Sequence, residues 1–365
     1  MRFLRRVVGR LVAGLVGLGL LGSCDPLHTK LGDEPARLYR ARTLHPAPDP
    51  TGSVRVMNWN VKFGGARIDF FFDCYGDRVL MRRSEVIANL DALATAITTL
   101  RPDVLLLQEV DVGSKRSAFV DELQYLLDHT HLNHGVYASS WKADFIPSDG
   151  LGAMDMGNAI LSRWPIRDAR RIGLPLRTDQ GAAEKYFYLR RNLLVATTDV
   201  PGGPPLVVVN VHTDAYGQDG TKLRHIERFE EELDAIDAAG GRFVAGGDLN
   251  TLPPGSPQLS GFPDTVCTDE DFIADDYTAD VGILDGLYAS YESAIDLPRY
   301  QADPSRYFSH TVDGRAFWNR TLDYLFTNGH FVDGSGTVIQ SVANGGMETM
   351  PLSDHAPVVV ELAWP

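Results

Sequence analysis

The sequence predicts an α/β fold in which amphipathic helices cover sheets of buried strands. Eight short apolar runs, rich in β-branched residues, have the length of buried strands rather than of helices. Segments with apolar residues at helical spacing lie between them. The chain has 365 residues and is 44% hydrophobic, which is enough to build one large core. Together these observations favour the α/β class.

The predicted elements follow one another from residue 54 to the end of the chain. Ser84 is a candidate N-cap for the first helix, and Thr221 precedes the third. We expect helices over residues 86–100, 119–127 and 223–236. We expect strands over residues 54–59, 104–107, 159–161, 193–196, 206–209, 243–245, 324–326 and 357–362.

The amino terminus has the pattern of an export signal. Residues 1–23 begin with a basic stretch and continue with a short apolar run, and small residues precede Cys24. The Leu-Gly-Ser-Cys sequence resembles a bacterial lipobox, which implies cleavage before Cys24 and attachment of lipid to that residue. We therefore expect an exported lipoprotein, anchored on the periplasmic or extracytoplasmic face of a membrane. An ordinary signal peptide and an uncleaved anchor are the alternatives.

The segment after the export signal contains five prolines and little apolar periodicity. It is predicted to be a tether over residues 24–53, followed by a folded domain over residues 54–365. Within that domain, residues 251–320 carry twelve acidic residues against four arginines and are predicted to form an acidic loop insertion. Cys74 and Cys267 remain in the mature chain, and either a disulfide or two buried thiols is possible outside the cytoplasm.

The chain is acidic, with 34 Lys and Arg residues against 48 Asp and Glu residues and a formal net charge of −14. Removal of residues 1–23 would take away four arginines and no acidic residue. This composition argues against a protein held on nucleic acid by a general basic surface. It does not exclude an enzyme that acts on a phosphate inside a metal-lined pocket.

Polar residues stand where several apolar runs end, which is the position of a sheet rim. Two other runs are instead preceded by polar residues. If those two strands run antiparallel to the first set, all of these groups share one rim, so we expect mixed or antiparallel sheets. The residues after strands are Asn60, Glu109, His212, Asp248 and Asn250, and those before strands are Asp323, Asp354 and His355.

The pooled residue types favour metal-assisted hydrolysis of a phosphoester. Carboxylate and amide oxygens come from Asn60, Glu109, Asp248, Asn250 and Asp354, and such ligands suit a hard cation such as Mg²⁺ or Mn²⁺. Imidazoles can supply a base that activates water. A zinc site built on the two histidines is a weaker alternative, because they would have to converge on one ion with a carboxylate.

In their order along the chain, these segments resemble the endonuclease/exonuclease/phosphatase superfamily, over about residues 54–362. That superfamily includes DNase-I-like nucleases, neutral sphingomyelinases and inositol polyphosphate 5-phosphatases. The resemblance implies a four-layer α/β/β/α sandwich with two packed, mainly antiparallel mixed sheets. The segments are Asn58-Trp59-Asn60-Val61, Leu107-Gln108-Glu109, Gly157-Asn158-Ala159-Ile160-Leu161-Ser162-Arg163, Asn210-Val211-His212, Gly247-Asp248-Leu249-Asn250, Leu322-Asp323-Tyr324 and Ser353-Asp354-His355.

The resemblance also implies a role for each polar residue. Asn60 and Glu109 match the principal metal site, and Asp354 lies near it as a further ligand. His355 matches the general base and Asp323 its orienting carboxylate. The remaining roles are transition-state and water positioning by Asp248 and Asn250, a hydrogen bond to a phosphate or leaving-group oxygen from His212, and phosphate contact by Asn158. Lys62 could reach the same phosphate, with a solvated lysine as the alternative.

The function expected from these patterns is in-line attack of an activated water on a phosphoester, most simply a phosphodiester. The acidic insertion favours a small molecule or a lipid headgroup over long DNA as substrate, for a monomeric enzyme held at a membrane through Cys24. An extracytoplasmic nuclease on DNA or RNA is one alternative. A non-catalytic binding protein on the same fold is another. Phe70, Phe71 and Phe72 belong either to the core or to an apolar wall beside the site.

Overall fold

The computed structural model describes residues 25–73, 76–263, 276–313 and 317–365. The predicted export signal over residues 1–23 and all three cysteines, Cys24, Cys74 and Cys267, lie outside the described residues. Fourteen strands within the described part form two sheets of seven strands each. No described helix is long and apolar enough to cross a membrane.

Strands and helices are interspersed along the chain, with several strands following one another directly. The strands are β1 Glu34–Pro35, β2 Arg37–Arg40, β3 Ser53–Asn60, β4 Val104–Asp111, β5 His134–Ile146, β6 Gly152–Ser162, β7 Ile166–Gly173, β8 Asn192–Thr198, β9 Leu206–His212, β10 Arg242–Asp248, β11 Glu292–Ser293, β12 Asp323–Thr327, β13 Thr337–Val338 and β14 Val358–Ala363. The helices are α1 Arg83–Leu100, α2 Glu122–His129, α3 Ala182–Phe187, α4 Thr221–Ala238, α5 Asp285–Ser290 and α6 Leu297–Ala302.

Each sheet is mixed, and most neighbouring strands run antiparallel. The first sheet has the order β1-β7-β8-β9-β10-β12-β11, and the second has the order β13-β14-β3-β4-β6-β5-β2. The parallel pairs are β9 with β10 and β3 with β4. β12 is antiparallel to β10, and β14 is antiparallel to β3. The predicted strand directions are therefore confirmed, and with them the predicted common rim.

Three apolar layers hold the sheets and helices together. Helices α1 and α2 pack on the outer face of the second sheet, and α4 packs on the outer face of the first. Between the sheets, Val56 and Leu106 of the second sheet face Val208 and Val244 of the first. Period-2 alternation within each strand separates these layers. The molecule is thus the predicted α/β/β/α sandwich.

The helix starts depend on residues other than those predicted. Helix α1 begins one residue before Ser84, and the Glu85 carboxylate accepts a hydrogen bond from the Arg82 amide at 2.7 Å. A glutamate reaching back in this way satisfies an amide that the first turn leaves free. Helix α2 begins at Glu122 rather than near Phe119, because the Asp121 carboxylate caps it by accepting from the Gln124 amide.

The segment predicted to be a tether is folded onto the domain in its described part. β1 pairs with β7 in the first sheet, and β2 pairs with β5 in the second. The guanidinium of buried Arg171 also donates to the Gly32 carbonyl at 2.6 Å. Prolines do not prevent this arrangement, because edge strands need only one row of amides. The tether interpretation is therefore wrong for residues 32–40.

The acidic insertion is also more integrated than predicted. β11 extends the first sheet by pairing with β12. The buried side chains of Tyr300, Tyr307 and Trp318 belong to the apolar layer between the sheets. Residues 251–320 therefore contribute to the core, and their acidic side chains do not define them as a detached loop system.

A buried ion pair ties β4 to the helical layer beside the rim. Arg116 donates to both carboxylate oxygens of Asp111, at 2.9 and 3.0 Å, and its guanidinium stacks 3.5 Å from the ring centre of Phe63. The Asp111 amide donates to the Glu122 carboxylate at 3.0 Å. Both partners of the Arg116–Asp111 pair are buried, so neither has water as a substitute partner.

We predict that Arg116→Leu lowers the free energy of unfolding by about 3–5 kcal/mol, because it leaves the buried Asp111 carboxylate unpaired. Urea denaturation measures this change. The matched control is Arg167→Leu, which removes an exposed pair with Asp199 and should cost less than about 1 kcal/mol. Equal losses in the two variants would contradict the importance assigned to the buried pair.

Candidate active site

The site lies where the inward faces of several strands change from apolar to polar. Inward positions on each strand begin with valine or leucine in the core and end with polar residues at one rim. These positions are 54, 56, 58 and 60 on β3, 104, 106 and 108 on β4, 206, 208, 210 and 212 on β9, and 244, 246 and 248 on β10. The pairing puts Asp248 opposite both His212 and Asp323. The rim thus collects polar groups from both sheets.

Two backbone irregularities position the acidic side chains. The pairing of β4 with β6 is interrupted between Leu107 and Val110, and Glu109 within this bulge has a φ of 57°. On β10, Gly247 has a φ of 147°, and a Cβ there would lie 1.7 Å from the Val211 carbonyl oxygen. Only glycine allows β9 and β10 to approach so closely beside Asp248.

His355 and Asp323 form a buried pair that joins the two sheets. The Nδ1 of His355 lies 2.7 Å from Oδ2 of Asp323, and the hydroxyl of Ser309 donates to the same oxygen at 2.7 Å. A carboxylate at Nδ1 keeps the hydrogen on that nitrogen, so Nε2 is the free position of a neutral ring. Nε2 lies 3.6 Å from Oδ2 of Asp248. The Trp59 indole also donates to the His355 carbonyl at 2.8 Å.

Asn60 lies at the centre of the acidic half of the site. Its side-chain nitrogen donates to Glu109 and to Asp248, each at 3.1 Å, and its oxygen accepts from the Lys62 amide at 3.0 Å. Burial and the charge of Asp354 raise the pKa of Glu109. Burial and the charge of Asp323, opposed by His355, raise the pKa of Asp248 to about 7. Neighbouring positive charges therefore do not fully compensate these carboxylates.

The same cluster of carboxylates also raises the pKa of His355. Burial lowers its pKa, but Asp323, Asp248 and Asp354 outweigh burial and raise it to about 10. Burial, Arg191 and His355 lower the pKa of His212 well below its usual value. At neutral pH the two imidazoles thus differ in charge, although His212 Nε2 also lies near Asp248, at 3.4 Å.

The residues present fit a divalent cation. Glu109 and Asp248 are carboxylates whose raised pKa values indicate a missing counter-charge, and oxygen donors suit a hard ion. Among the described His, Cys, Asp and Glu residues, the group whose ligand atoms lie close enough together for one ion is instead Asp248, Asp323 and His355. In that group Asp323 already accepts hydrogen bonds from His355 and Ser309. The oxygens around Asn60 therefore fit a hard cation better.

Lys62 is buried and paired, so the alternative of a solvated lysine is wrong. Its Nζ lies 3.0 Å from Asp73 and 3.7 Å from Asp354. Burial lowers its pKa, but these two carboxylates raise it overall. Burial raises the pKa of Asp354, but the charges of Lys62, His355 and Arg67 together outweigh burial and lower it. Asp354 is thus a carboxylate held in its ionised form beside the acidic cluster.

Asn250 and Asn158 lie at the rim with their amides engaged by the protein. Asn250 has a φ of 48°, its backbone amide donates to Asp248 at 3.0 Å, and its side chain donates to the Thr213 carbonyl at 3.2 Å. The Asn158 side chain donates to the Asn192 carbonyl at 3.2 Å, and its oxygen has no hydrogen-bond partner among the described residues. Each predicted site residue therefore lies at the rim.

Two features beneath the site did not follow from the sequence. Gln108 donates to Asn58 and to Asn210, each at 2.7 Å, which makes a buried chain of amides across the two sheets. The ring of His310 packs 4.3 Å from that of His355, centre to centre, and its Nδ1 has no hydrogen-bond partner in the described part of the chain. The amides stood within the quoted motifs, and the position of His310 shortly before Asp323 offered it as a residue near the pocket, but the sequence did not indicate its contact with His355.

Comparison with known proteins agrees with this architecture. The model of the Endonuclease/Exonuclease/phosphatase family matches residues 57–355, which is most of the chain. The chain belongs to this family. Members of the endonuclease/exonuclease/phosphatase family are generally hydrolases of phosphoester bonds and typically depend on a divalent metal. None of the curated proteins gave a significant match.

Solved structures share the fold of this family member at low sequence identity. An endonuclease/exonuclease/phosphatase from Beutenbergia cavernae is 21% identical with a TM-score of 0.53, over 86% of this chain and 72% of that one. An endonuclease/exonuclease/phosphatase from Bacteroides vulgatus is 13% identical with a TM-score of 0.53, over 86% and 100%. A functionally unknown conserved protein from Enterococcus faecalis is 15% identical with a TM-score of 0.52, over 85% and 100%. These similarities concern the fold.

We predict that Asp323→Asn lowers the pKa of His355 from about 10 towards its usual value, because Asp323 is the strongest of the charges that raise it. NMR titration of the His355 ring carbons measures the shift. The control is Glu231→Gln, which changes a carboxylate on the exposed side of α4 and should leave this pKa unchanged. An unchanged pKa in Asp323→Asn would contradict the pairing.

Proposed function

We propose that the chain is a metal-dependent hydrolase that cleaves a phosphodiester by in-line attack of water. The observation that carries the proposal is the buried Asp323–His355 pair beside the carboxylates around Asn60. Hydrolysis of a phosphoester needs a base for the water and positive charge for the phosphoryl oxygens. These two requirements correspond to the two halves of the rim.

His355 is the proposed base. With its Nδ1 hydrogen held by Asp323, its Nε2 takes a proton from the attacking water while the oxygen–phosphorus bond forms. The bond to the leaving oxygen breaks in line on the opposite side. When cation binding neutralises part of the charge of the neighbouring carboxylates, they stabilise the imidazolium less. Nε2 is then free to accept the proton at neutral pH.

The other rim residues position the reacting groups. Asp248 lies within 3.6 Å of the Nε2 atoms of both His212 and His355, so it can orient the water between them. His212 has a lowered pKa and is neutral, which suits a hydrogen-bond donor to a phosphate or leaving-group oxygen rather than a proton-transferring acid. Asn250, held by the Asp248 carboxylate and the Thr213 carbonyl, can contact the phosphoryl oxygens.

Glu109 and Asn60 are the proposed principal ligands of Mg²⁺ or Mn²⁺, with Asp354 beside them. A half-turn of the Asn60 amide would present its oxygen to the ion and remove the two bonds to carboxylates. The ion would supply positive charge to the phosphoryl oxygens. Asn158 and Lys62 are the proposed contacts to the phosphate, because an amide nitrogen and an ammonium group can each donate to its oxygens.

We predict Mg²⁺- or Mn²⁺-dependent turnover of bis-p-nitrophenyl phosphate, measured by release of nitrophenolate. Glu109→Ala and His355→Ala should each lower kcat/KM by about 10²–10⁴-fold, because one removes a metal ligand and the other the base. Glu231→Ala is the matched control, since that carboxylate is exposed and distant from the rim. Undiminished turnover in His355→Ala would exclude the proposed base. Absence of turnover with every metal tested would exclude the enzyme.

The substrate class follows from charge, and we propose a small phosphodiester or a lipid headgroup. Residues 251–320 have eight more acidic residues than arginines, and this repels the extended phosphate backbone of long DNA. A panel of plasmid DNA, RNA, sphingomyelin and inositol phosphates distinguishes the alternatives. Preferential cleavage of DNA or RNA would instead favour an extracytoplasmic nuclease.

We also propose export and anchoring through a lipid on Cys24, on the sequence pattern alone. Cys24→Ser removes the sulfur that would carry the lipid, so we predict that the variant moves from the membrane to the soluble fraction after cell fractionation. Retention of the variant in the membrane fraction would contradict the lipid anchor. Labelling with a radioactive fatty acid provides an independent measurement on the unmodified chain.

A further inference from the structure

We propose that one face of the domain rests on the lipid surface of the membrane and brings the catalytic rim to phospholipid headgroups. This inference rests on the proposed hydrolase and on the proposed anchor. The face, called here the hairpin face, consists of residues 25–30, 70–73, 76–83, 115–119 and 141–152. Its occupant is a bilayer surface, and the substrate class is a phosphoester within a phospholipid headgroup.

The first described residues of the chain are fixed to the end of the β5–β6 hairpin. The Asp144 amide donates to the Leu27 carbonyl at 2.9 Å, and the Tyr186 hydroxyl donates to Asp25 at 2.7 Å. Cys24 is the residue immediately before Asp25 in the sequence. A lipid on Cys24 would therefore be attached next to the residues that are fixed beside Asp144, and no long tether would allow the domain to reorient relative to the membrane.

The same hairpin projects past the catalytic rim. β4 ends opposite Met156 of β6, and beyond that point no third described strand pairs with β5 and β6, which continue as far as Ile146 and Gly152. Since β4 carries Glu109 at this end, the hairpin extends from the same end of the sheet as the site. The anchor point and the catalytic rim therefore lie at one end of the molecule.

Large apolar side chains of the hairpin face point into solvent. Phe119 is 60% exposed, Phe145 is 54% exposed, and Phe72 and Leu80 are each more than a third exposed. Hydrogen bonds join the segments that carry them into one surface: Lys115 to the Gly150 carbonyl at 2.9 Å, the Met81 amide to the Arg116 carbonyl at 2.7 Å, and the Phe71 amide to the Arg78 carbonyl at 2.8 Å. Exposed aromatic groups clustered in this way are typical of surfaces that enter a lipid interface.

The charge of the hairpin face differs from that of the rest of the chain. Apart from Arg116, which is buried and paired with Asp111, it contains six exposed or half-buried Lys and Arg residues against five Asp residues, within a chain of formal net charge −14. Cations beside exposed aromatics suit an anionic lipid surface, whereas the remaining acidic surface is repelled by it. The six basic residues are Lys30, Arg78, Arg82, Arg83, Lys115 and Lys142, and the acidic residues are Asp25, Asp73, Asp77, Asp144 and Asp149.

One wall is shared by the hairpin face and the site. Phe72 stacks on buried Phe70 at 5.6 Å, and the next residue, Asp73, binds Lys62 at 3.0 Å. Lys62 in turn lies 3.7 Å from Asp354 at the rim. A bilayer touching Phe72 would therefore present its phosphates at the mouth of the site, while its acyl chains face the aromatic side chains.

Hydroxyl-radical footprinting tests the orientation without any change to the face. The lipidated full chain in vesicles of phosphatidylethanolamine and phosphatidylglycerol is compared with the Cys24→Ser chain in buffer. Oxidation of Phe119 and Phe145 should fall at least about threefold in vesicles, because lipid excludes water from these side chains. Val332, which is 40% exposed and lies beside the opposite end of β14, should be oxidised equally in both samples. Equal oxidation of Phe119 and Phe145 in the two samples would overturn the proposal.

A second measurement tests the substrate class. Phe145→Glu should lower release of water-soluble phosphorus from vesicle phospholipid by at least about tenfold and leave turnover of bis-p-nitrophenyl phosphate unchanged. Val332→Glu is the matched control and should change neither. Turnover of the soluble compound without any cleavage of vesicle phospholipid would overturn the substrate class. Failure to turn over the soluble compound would instead remove the proposed hydrolase, while the footprint still reports the orientation.

Discussion

The site depends on buried polar contacts that register the two sheets against each other. Apolar packing between sheets is non-directional, and it would tolerate small displacements of one sheet over the other. The hydrogen-bonded amides of Asn58, Gln108 and Asn210 do not tolerate such displacements, because each buried donor left without a partner costs about 1–3 kcal/mol. Asp323 and His355 add a charged contact across the same gap. Only one register satisfies all of these groups, and in that register the strand ends meet.

A second constraint is the excess of negative charge at the rim. Glu109, Asp248 and Asp354 gather there, and Lys62 and His355 compensate only part of their charge. The raised pKa values of Glu109 and Asp248 reflect the positive charge that the protein itself does not supply. This excess of negative charge is unfavourable for the protein without a cation. It is favourable for a protein that binds a cation, because the ion supplies the positive charge without further change of the fold. Net acidity and phosphate chemistry are therefore compatible in this chain.

Much of the framework could be predicted because it follows from local pattern. The eight predicted strands are present, since β-branched apolar runs of that length can bury both faces in a sandwich. The common rim followed from placing polar residues before some strands and after others. Three features could not be predicted. They depend on partners that do not follow from the local pattern of one segment. These features are the pairing of residues 34–40 at two sheet edges, the burial of Tyr300 and Trp318, and the salt bridge between Lys62 and Asp73.

The sequence by itself determined the α/β class and the set of polar residues that stand at strand ends. It could do so because alternation along a strand and the position of a residue at a strand end are local properties. Tertiary structure alone decided which of those residues touch, that Lys62 is buried between carboxylates, that His310 packs on His355, and that the first described residues are fixed beside the hairpin. Each of these depends on how two sheets pack and how distant segments close their edges. Residue patterns within one segment carry no information about that geometry.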